Sequence, residues 1–115
     1  MVAVANSPGF RESMAVAATS VCGFINLHTG DPGTTGATEA ASARGAITWV
    51  AGAQDGTVQG NELTLPNVPA GVYPYASLFS GASGANYQTS YLLPSSVVLA
   101  SAGPVKLTPQ FVYPG

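Results

Sequence analysis

One histidine, one cysteine and five acids are the residues through which this chain could do chemistry. His28 is followed by Thr29, Gly30 and Asp31 in a chain rich in serine, the raw material of a Ser/His/Asp relay. That relay needs a nucleophile held on a sharp turn, and no GxSxG segment exists to hold one. A histidine that ends a strand and bonds the following turn accounts for His28 without catalysis. A metal would need clustered ligands, whereas Cys22, His28, Glu12, Asp31, Glu39, Asp55 and Glu62 follow no ligand spacing. Asp31 and Glu39 bracket a loop that offers carboxylates and carbonyls to calcium, but without the alternating acids of a calcium loop. GDPGTTG (30–36) has the glycines of a phosphate cradle, yet such a cradle needs a lysine after its final glycine and a helix beyond, and here Gly36 is followed by Ala37 and Thr38. Asp31-Pro32-Gly33 reads instead as a turn, with proline fixing one backbone angle and glycine supplying positive φ. The expectation is therefore no catalytic residue, no cofactor-binding residue, no metal ligand and no cofactor. Cys22 lacks a second cysteine for a disulfide and is expected to be an inert, buried packing residue.

Charged residues make up 7% of the 115, against roughly 25% in an ordinary soluble domain, so small neutral groups or neighbouring protein must cover the surface. The cations are Arg11, Arg44 and Lys106, too few to neutralise a run of phosphates, which excludes nucleic acid as a partner. With 46% apolar residues and a net charge of -2 the chain should fold, and its length suits one domain over 1–115. No apolar run is long enough to span a bilayer, and no basic region precedes an apolar stretch at the start, so neither a membrane segment nor a secretion signal is expected.

The elements that position these residues are read from period and punctuation. Residues 7–21 predict a short helix, with Ser7 as N-cap, Pro8 at the first position and Glu12 placed early, toward the positive end of the dipole. Phe10, Met14, Ala17, Ala18 and Val21 recur at three- and four-residue steps, predicting an apolar face packed on the rest. Residues 22–115 then turn to period two. Strands are predicted over 23–28, 46–51 (placing Ile47 and Trp49 together), 62–65, 72–79, 87–93, 96–100 and 105–113, with a long loop over 29–45. Pro109 has no N–H for a ladder, so the last strand should bulge there or lie at an edge. Six to eight short strands between glycine-rich turns, after one N-terminal helix, describe a mainly β fold: an antiparallel β-sandwich or jelly roll. The aromatics Tyr73, Tyr75, Phe79, Tyr87, Tyr91, Phe111 and Tyr113 either pack across strands in its core or form an oligomer interface.

The ordered set INLHTGDPGTTGATEA (25–40), Arg44, AITWVAGAQDG (46–56) and VPAG (68–71) resembles a family of short bacteriophage proteins. Its members are common in phages of actinobacteria and are usually labelled tail fibre or minor tail proteins. The resemblance covers most of the chain; Leu27 to Gly36 with Glu39 is its specific part, and the chain departs from the family in having only AASA between Glu39 and Arg44. It implies a non-enzymatic virion component at the particle surface. A fibre shaft needs a heptad stretch or a periodic repeat, and neither is present, so a knob is expected rather than a rod. That favours a small decoration protein on the major capsid protein lattice, expected as a homotrimer; a minor tail module that binds tail proteins and the host surface is the alternative, and a hydrolase working through His28 the third.

Overall fold

The computed structural model describes residues 7–33, 35–50 and 57–112. Ser7 caps the helix, its Oγ accepting from the Phe10 N–H at 3.2 Å, and α1 runs Pro8–Thr19. It ends where the Thr19 and Ser20 hydroxyls turn back on the Val16 and Ala17 carbonyls, so residues 20 and 21 lie beyond it. Nine antiparallel strands follow among the described residues: β1 (Phe24–His28), β2 (Gly45–Ala46), β3 (Trp49–Val50), β4 (Thr57–Gly60), β5 (Leu63–Val68), β6 (Gly71–Phe79), β7 (Tyr87–Leu99), β8 (Gly103–Leu107) and β9 (Gln110–Val112). The fold is mainly β, a small sandwich-like arrangement with one helix.

The pairing is nested. β6 pairs with β7, β5 with β8 and β4 with β9, so residues 57–112 form one long hairpin with its tip at residues 80–86. The hairpin breaks where proline interrupts the ladder. Thr108-Pro109 separates β8 from β9, and the buried Pro109 offers its carbonyl to the Gly60 N–H at 2.9 Å. Pro69-Ala70 separates β5 from β6. β1 adds to the free side of β6, β2 to β1, and β3 to β4, giving sheets β2-β1-β6-β7, β3-β4-β9 and the ribbon β5-β8.

Ile25 and Leu27 of β1 share one face with Ala76 and Leu78, their partners on β6, and meet Leu65, Val68, Val105 and Leu107 of the β5-β8 ribbon in the core. Cys22 and Tyr73 join this cluster, with Ile47, Trp49 and Phe111 packed against it. Each buried aliphatic side chain there contributes about 1.5–3 kcal/mol. The two layers meet closely at Gly45, where a Cβ would stand 2.6 Å from Leu63 Cδ1 and 2.9 Å from Leu65 Cδ2.

Several sequence expectations change. The strand predicted at 46–51 is two short strands in different sheets, the two predicted over 87–93 and 96–100 are one, and β4 was not foreseen. Strict alternation would put Tyr73 and Tyr75 on one side of their strand, and they do not share a side. The register of β6 against β7 shifts between them, so Tyr73 turns into the core while Tyr75 lies opposite His28 on the other face. The helix is turned over: Glu12, Ala15 and Thr19 are buried, whereas Phe10, Met14 and Val21 are exposed. Glu12 stands on the underside of the second turn and not in the first.

Candidate functional site

The 29–45 segment carries the residues singled out for chemistry, and it folds back on β1. The Thr29 N–H reaches the Thr38 carbonyl at 3.1 Å, His28 bridges to Glu39, and the Ala40 N–H reaches the Leu27 carbonyl at 2.9 Å. At its tip Asp31 acts as turn former, its Oδ1 accepting the Gly33 N–H at 2.9 Å, and the Gly36 and Ala37 N–H groups both point at the Pro32 carbonyl. Gly36 is left-handed at φ 77°, and a Cβ there would lie 2.9 Å from the Cβ of Tyr87. Tyr87 fastens the tip, donating from its hydroxyl toward the Gly33 carbonyl at 3.1 Å. Thr38, left-handed at φ 69° despite its branched side chain, is held by its hydroxyl on the Gly30 carbonyl.

Beneath this segment lies a polar layer on the face of β1 opposite the core. Asn26 is fully buried; its amide donates to Glu39 Oε2 at 2.9 Å and to the Ser42 carbonyl at 3.1 Å, and its Oδ1 accepts from Ser42 Oγ. Glu39 receives Arg44 in a two-pronged ion pair, Nε to Oε2 at 2.8 Å and Nη2 to Oε1 at 2.9 Å. The remaining Arg44 donors go to the far hairpin: Nη1 to the Gly81 carbonyl and to Asn86 Oδ1, Nη2 to the Gly84 carbonyl. All five guanidinium N–H groups are thus used, and the plane sits 3.6 Å from the centroid of the Phe79 ring. The Arg44 pair holds the Glu39 carboxyl below its ordinary range, with the Asn26 amide helping and partial burial opposing.

His28 is completely buried. Its Nδ1 contacts the Ala37 carbonyl at 2.7 Å, which fixes the proton on that nitrogen, and its ring stacks on Phe79 at 6.0 Å. Nε2 is buried with no hydrogen-bond partner. Burial pushes the imidazole below its usual value, against the raising pull of the Ala37 carbonyl and of Glu39. A base in this position is closed off from any substrate.

The residue pairs weighed from the sequence and set aside there do not come together in the fold. Asp31 is exposed and engaged with its own turn, while Glu39 spends both oxygens on Arg44, so the two carboxylates do not converge on a cation. Among the described residues no three histidine, cysteine or acidic side chains form a metal-binding group. Cys22 is a core thiol, pushed up by burial as expected. Sequence reasoning missed Asn26, Phe79 and Asn86 as parts of one network. A signal existed: in a chain with three cations, an arginine five residues after a glutamate has few other acids to meet.

An open groove of about 540 Å³ runs beside this network, between residues 39–44 and the hairpin tip at Ala82, Ser83 and Gly84. Its walls are mostly alanine, serine and glycine, and its charged groups are already paired to each other. No protein-family model, no curated protein and no solved structure matches this chain.

Proposed function

We propose that this chain is a non-enzymatic structural protein of a tailed bacteriophage virion, a small decoration protein that sits as a trimer on the major capsid protein lattice. The observation that carries this reading is the commitment of the motif between Leu27 and Arg44 to the chain's own architecture. Asp31, Gly36, Glu39 and Arg44, the residues on which the resemblance to phage virion proteins rests, are spent on closing a turn, seating an aromatic and joining two loops. Support also comes from the molecule's proportions, 47 × 31 × 27 Å, which are those of a knob. A decoration protein binds the assembled lattice and not its separated parts, so its binding free energy adds to the stability of the shell by mass action. A surface poor in charge suits that task, because the centres of protein interfaces are depleted in charged residues.

The groove at residues 39–44 and 82–84 favours the second reading, a minor tail or tail-fibre module that binds the host surface. It is the open concavity that such a module would use, although its small side chains lack the aromatic platform on which sugars stack. Copy number separates the two. Quantitative mass spectrometry of purified particles is expected to find this chain in proportion to the major capsid protein; a handful of copies per particle supports the tail reading, and absence from particles overturns both.

A further inference from the structure

We propose that residues 29–38 form an acid-operated flap: protonation of His28 releases them from the sheet and unravels their turn while the core beneath stays folded. The flap is a thin cover. Among its described residues only Pro32 is buried, and the core cluster of Ile25, Leu27, Ala76 and Leu78 lies on the other face of the sheet. Two polar contacts fasten it: the Ala37 carbonyl to His28 Nδ1 at 2.7 Å, and the Gly33 carbonyl to the Tyr87 hydroxyl at 3.1 Å. The chain beyond it is anchored separately, by the Ala40 N–H on the Leu27 carbonyl and by the ion pair of Glu39 with Arg44. A loop with so little buried apolar surface opens at a free energy below that of the whole domain, and once released it has too few contacts to offset the entropy of keeping its turn.

His28 makes that opening sensitive to protons. A proton added at Nε2 creates a buried cation with a second N–H and no acceptor for it. The hydroxyl of Ser77, buried on the neighbouring strand β6, is also without a partner, so the two groups do not reach each other. The charges that face the ring belong to the 29–45 segment: Glu39 favours its protonation, and Arg44, lying over the same Phe79 ring on which His28 stacks, opposes it. Glu39 already spends both oxygens on Arg44. β6 and β7 contribute the phenols of Tyr75 and Tyr87, β2 contributes no ionisable group, and Asp31 stands at the exposed tip. Burial under the flap therefore dominates and keeps the imidazole below its usual value. Opening returns the ring to water, where it takes a proton near pH 6.5. The closed flap is thus favoured in full above that pH, and the preference falls as pH drops from 6.5 toward the folded pKa, by up to about tenfold per pH unit.

Amide hydrogen exchange of the full chain, expressed as protection relative to the intrinsic rate at each pH, tests this. Between about pH 7.5 and pH 5.5 the Thr29, Gly36 and Ala37 amides, bonded to the Thr38 and Pro32 carbonyls, are expected to lose protection by up to about tenfold, while the Ala76 and Leu78 amides of β6 keep theirs. His28→Asn keeps a donor for the Ala37 carbonyl and has nothing to protonate, so its flap amides are expected to be equally protected at both values. A second readout needs no variant: His28 is the only histidine, so its ring resonance can be followed alone, and its protonation is expected to run in step with the loss of flap protection. Flap and core amides that lose protection together would overturn the flap, as would flap protection that is level across this range. A loss that persists in His28→Asn, or that is out of step with the ring, would remove His28 as its trigger.

Discussion

His28 shows how an isolated reactive residue becomes structural. Its Nδ1 proton is spent on the Ala37 carbonyl, its ring lies on Phe79, and its Nε2 is buried without a hydrogen-bond partner. The cost is a dependence on pH. Because burial lowers the folded pKa below the ordinary 6.5, the unfolded chain binds a proton there that the folded chain does not. The stability held above pH 6.5 is thus lost as pH falls from that value toward the folded pKa, with a limiting slope of about 1.4 kcal/mol per pH unit. Glu39 acts in the same direction at lower pH: its carboxyl is depressed below 4.5, so its contribution is present above that value and disappears as pH falls through the folded pKa. Urea midpoints between about pH 7.5 and pH 5 are expected to fall for the wild type and to stay nearly level for His28→Asn. Parallel curves for the two proteins would show that another group governs the upper step.

At the scale of elements, Arg44 is the joint between the 29–45 segment and the β6-β7 hairpin, and its planar fork suits the task. Lysine offers three donors from one point, so Arg44→Lys leaves part of the Glu39 pair and at least one hairpin carbonyl unmet in a site where the arginine side chain is 7% exposed. A loss of about 2 kcal/mol is expected, read as a fall in Tm of roughly 8 °C for a domain of this size. A change within about 0.5 kcal/mol would mean that water replaces the fork at no cost and that the two loops are not joined through it.

Much of this level was legible in sequence. The Ser7 cap, the β1 and β6 strands and the turn at Asp31-Pro32-Gly33 follow from local chemistry, which residues 7–8, 24–28, 71–79 and 31–33 carry in themselves. The side of α1 that packs was not legible, because periodicity locates an apolar stripe without saying whether the core or another chain receives it. Nor was the side on which Tyr73 falls, since a register shift between Tyr73 and Tyr75 reverses alternation, and that shift is set by the partner strand. The polar layer under Arg44 escaped notice because Asn26 and Asn86 lie 60 positions apart and meet only through the folded hairpin.

For the whole molecule, one long hairpin bent at its prolines and flanked by β1, β2 and β3 makes a knob whose motif residues serve its own fold. On the proposed reading, function comes from what the surface binds, and a surface with few charges and an apolar helix face suits permanent neighbours better than passing ligands. The central claim is that those neighbours are virion proteins. Gold-conjugated antibody against this chain, viewed on intact particles by electron microscopy, tests it most directly. Label spread over the heads is the predicted result; label confined to the tail would move the chain to the host-binding apparatus, and unlabelled particles, with the antibody shown to recognise the folded protein, would contradict the account.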